Sequence, residues 1–492
     1  MDSTKLVERL KNIDFGDIDG SGEPKLEQYF LDSDYWNRVV ENKTFFVIGK
    51  KGTGKSSIYR MVKGQGADRG VIVENKDFGD FPFERLLSLD DDNFAKPNQY
   101  QSIWKNLVLN VFSKMIADNP IMDDENNTYF LSISEYASNC LGNIVEMHKE
   151  VITRTTKNAG NLSFSFLSAS HEAERTLNIG SGNSNISAIN SALEGLIVNY
   201  LKTCSPSRKA IIQFDRLDDN YNQYQNVEQY YQAIISLFKV VYKINQEFRA
   251  CNIEGSKVIL YLRSDILNEL GKRDAESARW DDYCLMISWS IVNKNDWENP
   301  KLLQMLNKRI YASTLDEDIN FYTIFDSYTI ALTSGGKPHD VFRYIVDRTM
   351  HRPRDLIQFC KYIQKEAVET NKLFFRTIKN AEKNYGHWLV NSELANEINP
   401  ILENTDALYE LLKLLGRQPF SFSDFCDRHV SAKNIDLSAD DLAYYLYDVG
   451  IFQNIDTTCS PTTYRSVYRN KGRLNRDMKI IIHRGVWTGI NA

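Results

Sequence analysis

Residues Gly49-Lys50-Lys51-Gly52-Thr53-Gly54-Lys55-Ser56 complete the pattern G-x-x-x-x-G-K-[ST]. They follow an apolar run, Phe45-Phe46-Val47-Ile48, and precede a helix-compatible stretch, Ser57 to Val62. Strand, glycine loop and helix in that order restrict the chain to a small set of α/β folds. Glycines let the backbone turn tightly, so several N–H groups point at one anion. The helix behind the loop adds its N-terminal amides and the positive end of its dipole. The pattern predicts a phosphate cradle built from Gly49, Lys51, Gly52, Thr53, Gly54, Lys55, Ser56 and Ser57. Its ligand would be ATP with Mg²⁺, Lys55 reaching the β- and γ-phosphates and Ser56 offering a hydroxyl to the metal.

The chain has 492 residues, enough for two or three domains. No segment approaches the ~20 apolar residues that span a bilayer. Met1 to Gly20 is polar, which reads as neither a signal nor a transit peptide. The seven cysteines (140, 204, 251, 284, 360, 426 and 459) form no close pair with metal or redox spacing. A cytoplasmic protein with incidental thiols is the expectation. The net charge of −6 argues against wholesale nucleic-acid coating.

Apolar periodicity sets out the rest. Residues 1–43 read as a helical lead-in with Tyr29, Phe30, Tyr35 and Trp36 as anchors, and Gly70–Val73 as a second strand. A helix is expected from Pro97 through Trp104, Leu107, Val111 and Met115. Residues 154–190, rich in Ser and Asn, read as a surface excursion, with a helix leaving it near Ile186. Ala210–Asp215 and Val258–Leu262 have the continuous apolar character of buried strands, with a long amphipathic helix, Val227–Glu247, between them. Alternation of this kind predicts a P-loop-type parallel sheet over 44–288, with helices on both faces. A helical lid subdomain is expected over 289–402 and a C-terminal winged-helix domain over 403–492. In the last, three helices precede a hairpin pairing Tyr464–Arg469 with Met478–Ile482.

Ligands of doubly wound sheets bind at the carboxyl ends of the strands. The loop, Asp215 and Arg263 all fall there. Asp215 suits a second metal-holding group beside Ser56, and Asp218 or Asp219 a base for water, with an acidic helix cap as the alternative. Arg263 suits a γ-phosphate sensor, with a salt bridge to Asp265 as the alternative. Arg352-Pro353-Arg354-Asp355 opens a helix whose arginines would reach the nucleotide or simply be solvated.

Together these motifs resemble the STAND and AAA-like branch of P-loop ATPases, and within it the bacterial FunZ-type P-loop ATPases. The likeness rests on the Ile48–Ser56 loop, the Asp215 strand, Leu262-Arg263-Ser264-Asp265 and Arg352-Pro353-Arg354-Asp355-Leu356. It implies a nucleotide-binding core, a helical lid and a winged-helix module, in a regulator found beside defence or mobile-element genes. It implies that Arg263 follows the fourth core strand as a sensor and that Arg352 or Arg354 is a second one. Arg216 departs from the pattern, since an acid often stands directly after the metal-binding Asp.

Near the C-terminus Arg465, Arg469, Lys471 and Arg473 form a local basic stretch that would contact duplex DNA. Against this, Ser438–Val449 carries Asp440, Asp441 and Asp448 and no Lys or Arg. Two functions follow as expectations. One is a slow ATPase acting as a nucleotide-dependent switch, with a protein partner or self-assembly and no membrane. The other is a DNA-binding protein in which nucleotide is mainly structural.

Overall fold

The computed structural model describes residues 3–31, 35–79, 83, 86, 100–141, 182–204, 208–217, 227–292, 295–325, 329–331, 338–399, 401–402, 404–432, 434–458, 463–470 and 472–491. The chain divides into two compact units, residues 32–51 with 55–287, and residues 1–31, 52–54 and 288–492.

The first unit is mixed α/β around a five-stranded parallel sheet. Its strands are β1 (Phe46–Gly49), β2 (Val71–Asp77), β3 (Lys209–Asp215), β4 (Lys257–Arg263) and β5 (Cys284–Met286), in the order β2-β3-β4-β1-β5. Ala210–Phe214 and Val258–Leu262 are wholly buried, which is why they read as apolar runs, the first broken only by Gln213. Parallel neighbours need crossovers, and the helices Lys55–Gly66, Gln101–Asp118, Gly182–Cys204, Val227–Ala250 and Ser264–Arg273 occur between successive strands. Trp104 Nε1 donates to the Ala233 carbonyl at 2.8 Å, tying two of these helices. The Phe46 and Phe238 rings stack at 4.4 Å, tying β1 to the same Val227–Ala250 helix. Pro97 and residues 154–181 lie outside the described residues, and the helix expected from near Ile186 begins at Gly182.

In the second unit one apolar cluster runs from Leu6 to Val486. The Ser3–Lys11 helix contributes Leu6, Val7 and Leu10 to it, although its surroundings in sequence are polar. Gln364 Nε2 donates to the carbonyls of Leu10 (2.7 Å) and Ile13 (2.6 Å), anchoring this segment on the Pro353–Thr370 helix. A short hairpin, β6 (Thr329–Ala331) with β7 (Pro338–Asp340), interrupts the helices Lys301–Thr314 and Pro353–Thr370.

Farther on, the helices Thr405–Leu415, Phe422–Ser431 and Ala439–Asp448 precede β8 (Phe452–Asp456), β9 (Thr463–Arg465) and β10 (Ile480–Ile482). The hairpin expected between Tyr464–Arg469 and Met478–Ile482 does not form. β8 lies between β9 and β10, antiparallel to both. Val467–Asn470 coils into a helical turn and cannot continue β9. Asn454 on β8 holds the returning chain by donating to the Asn475 carbonyl and accepting from its N–H, each at 2.8 Å.

The last helix, Arg484–Ile490, packs on Phe375–Trp388 at a glycine contact. A Cβ on Gly489 would stand 2.1 Å from the Gly386 carbonyl oxygen, which no side chain rotation relieves. Gly489→Val is expected to destabilise this unit by about 3 kcal/mol. An unchanged urea midpoint would refute the contact.

Candidate functional site

β1 delivers the chain to the glycine loop. Gly49 is paired in register with Arg263 at the end of β4, so these two strand ends are neighbours. Gly52 and Gly54 have φ of +76° and +93°, a region costly to any residue with a Cβ. The sequence requirement for glycine is thus a backbone requirement. Lys55 begins the helix, and its Nζ donates to the carbonyls of Gly49 (3.0 Å) and Lys50 (3.3 Å). The ammonium is held across the mouth of the loop. Ser56 and Ser57 follow in the first helical turn, partly exposed like Lys51.

The loop tip, Gly52–Gly54, groups with the second unit. The Thr53 carbonyl accepts from Trp289 Nε1 at 2.8 Å. The Gly52 carbonyl lies 3.5 Å from the Arg354 N–H, and a Cβ on Gly52 would stand 3.0 Å from Cβ of Arg354.

Asp215 closes β3 and is buried, 3% exposed. Its carbonyl accepts from the Phe78 N–H at 2.9 Å. With β4 intervening, Phe214 is level with Phe46, so Asp215 stands two strand spacings across and two residues back from Gly49, about 12 Å. Burial, reinforced by the charges of Asp215, Asp77 and Glu74, pushes the Tyr59 hydroxyl well above its ordinary range. A polar seam lies beneath the loop helix. Gln213 Nε2 donates to the Tyr59 carbonyl (3.0 Å) and to Asn75 Oδ1 (2.8 Å), while the Tyr261 hydroxyl donates to Gln213 Oε1 (2.5 Å). Sequence reasoning passed over this seam, and its one signal was a glutamine inside an apolar strand.

Arg216 stands at φ +61°, with Nη1 3.1 Å from Asp77 Oδ2 and its guanidinium lying over Gly79. The position after Asp215 therefore ties β3 to β2. Asp218 and Asp219 lie outside the described residues.

Arg263 grips Asp265, Nε to Oδ1 at 3.0 Å and Nη2 to Oδ2 at 2.6 Å. Burial alone would raise the Asp265 carboxyl, but the charge and hydrogen bonds of Arg263, with a contribution from Lys55, hold it below its ordinary value. The salt bridge weighed as an alternative is present.

Arg352 and Arg354 belong to a buried network in the second unit. Arg352 donates to both oxygens of Asp355, at 3.0 and 2.9 Å, and its Nη1 lies 3.5 Å from Glu393 and 3.9 Å from Glu397. Burial disfavours its charge, yet the three carboxylates outweigh that and keep it protonated. Arg354 Nη1 lies 3.4 Å from both Glu393 oxygens, and its Nε donates to the Ile18 carbonyl at 3.3 Å.

Of the basic C-terminal residues, Arg465 is paired with Asp456. The Thr458 hydroxyl and amide, with help from Arg465, hold that carboxyl down at about 2. Arg473 is exposed, the Arg469 side chain and Lys471 are outside the described residues, and Arg476 pairs with Asp440 at 2.5 Å.

Among the described residues no group of three or more His, Cys, Asp or Glu side chains is placed to hold a metal. Magnesium bound with a nucleotide does not need one, since phosphates and water supply most of its shell. Nor is any described helix long and apolar enough to cross a membrane.

A five-stranded parallel sheet in a mixed α/β chain, with a glycine loop at the end of an interior strand, is compatible with a P-loop-like fold. Residues 300–393 match the family model of the FunZ-associated C-terminal helical domain, which supports a FunZ-type protein. The matched segment contains Arg352, Arg354, Asp355 and Glu393 and thus most of the buried network. No curated protein matches the chain.

Proposed function

We propose that the chain is an ATP-binding P-loop ATPase that works as a slow nucleotide-dependent switch. The observation that carries this reading is the Gly49–Ser56 loop. It has left-handed glycines at 52 and 54, Lys55 bound across its mouth and the Arg263 strand end beside it. Backbone amides and Lys55 would hold the phosphates, and Ser56 with Asp215 would hold Mg²⁺. That ion neutralises charge on the β- and γ-phosphates when bound. Asp215 is suited to the metal by burial at the carboxyl end of β3, one strand beyond the Arg263 strand end, and Arg263 to a terminal phosphate by its planar fork.

Slow turnover follows from Arg216, whose guanidinium is committed to Asp77 where many ATPases place an acid. Arg352 and Arg354 are bound by carboxylates, which favours a supporting role for the Pro353–Thr370 helix over direct phosphate contact. We read the segment around 300–393 as the helical lid and the three helices with β8, β9 and β10 as a winged-helix module. Pairing of Arg465 and Arg476 with aspartates, beside the acidic Ala439–Asp448 helix, favours a protein partner over duplex DNA. The FunZ-type likeness supports a role in defence against phage or mobile DNA.

Asp215→Ala is expected to slow phosphate release from ATP by about a hundredfold or more while ATP still binds. Equal release from variant and parent would remove Asp215 from the site.

A further inference from the structure

Asp265 has no part in the roles above. It lies in the first turn of the Ser264–Arg273 helix, where a carboxylate is favourable to the helix dipole. That position does not account for its two-point grip on the arginine that ends β4. Arg263 is largely covered, 15% exposed, whereas half of the Asp265 side chain meets solvent. Arg263 stands in register with Gly49, whose carbonyl accepts from Lys55. Asp265 also feels the charge of Lys55. One ionised carboxylate thus lies within electrostatic reach of both cations at this edge of the loop.

We propose that Asp265 is a specificity-determining residue that occupies Arg263 in place of a terminal phosphate, so that a triphosphate must displace it and a diphosphate need not. The inference rests on the ATP-binding reading. A guanidinium fork fits carboxylate and phosphate oxygens alike, so the exchange needs no new geometry at Arg263. The terminal phosphate carries more charge than Asp265 and wins the exchange. Its net gain is reduced by loss of the Arg263–Asp265 bridge and by repulsion from the displaced carboxylate. Solvent at Asp265 keeps the effect modest.

The test is calorimetric titration of the full chain with ATP and with ADP, for the parent, Asp265→Asn, Arg263→Ala and the double variant. Asparagine keeps the shape and removes the charge. Asp265→Asn is expected to bind ATP about three- to fivefold tighter and ADP within about twofold of the parent. The gain should vanish in the Arg263→Ala background and shrink as salt is raised. An equal shift for both nucleotides, a gain that survives without Arg263, or weaker ATP binding would overturn the proposal. A carboxylate that only caps its helix would lower the melting temperature and leave the ATP-to-ADP ratio unmoved, which also overturns it. A parent chain that binds neither nucleotide would instead bring down the ATP-binding reading, and this inference with it. Should Asp265→Asn fail to fold, Asp265→Ser is read by the same ratio.

Discussion

Lys55→Ala is expected to weaken ATP binding at least about a hundredfold, roughly 2.7 kcal/mol or more, because on the proposed reading it would remove a charge-assisted contact to two phosphates at once. Nothing else described in the loop replaces it. Lys50 and Lys51 are near in sequence, but it is the Lys55 ammonium that spans the carbonyls of Gly49 and Lys50. The fold should survive, since the donations to the Gly49 and Lys50 carbonyls are made at a partly exposed site. Calorimetry for binding and a thermal melt for folding separate these outcomes. Unchanged affinity in a folded variant would end the nucleotide-binding proposal.

The second large effect concerns stability. Arg352→Met is expected to cost the helical unit about 3–5 kcal/mol, since it strips the paired guanidinium from buried Asp355 and removes one of the two arginines beside Glu393. Asp355 is fully buried and Glu393 nearly so. Even with Arg352 in place, burial holds the Asp355 carboxyl above its ordinary value, with the Arg352 charge and hydrogen bonds offsetting this only in part. In the variant that rise is larger. A group whose folded pKa exceeds its unfolded value contributes a penalty above the folded pKa, and the penalty fades as pH falls through it toward about 3.9. The deficit of Arg352→Met should therefore be greatest near neutrality and should shrink toward pH 4. Urea unfolding of parent and variant at both pH values measures it, and a deficit independent of pH would argue for lost packing instead.

What was legible in the sequence follows from which interactions are local. The Gly49–Ser56 spacing, the Asp215 strand end and the Arg263 strand end are contiguous patterns, each marked by an apolar run buried on both sides. β5 has only three residues, Cys284–Met286, too few to display a period. The Ser3–Lys11 helix hides its apolar stripe of Leu6, Val7 and Leu10 among charges. The C-terminal pairing was misread because β8 takes both available partners, a choice decided by Asn454 and the buried Ile480 and Ile482. The carboxylates around Arg352 were invisible for a different reason. Glu393 and Glu397 lie on a later helical segment, and only packing brings them to Arg352. Asp265 was legible as a partner of Arg263, but its reach toward Lys55 depends on β1 and β4 being neighbours.

The glutamine in β3 has a consequence for how the sheet finds its alignment. A parallel strand that slides by two residues keeps the same side chains facing the same way, so apolar packing alone discriminates weakly between neighbouring alignments. Gln213 ends that degeneracy. Only one alignment sets it opposite Asn75 on β2 and within reach of Tyr261 on β4. Any other strands a buried amide, at about 1–3 kcal/mol for each unmet group. The amide acts as a key cut for a single lock position. It fixes where β3 stops relative to β2 and β4, and with the pairing of β4 to β1 this sets how far Asp215 stands from the start of the glycine loop.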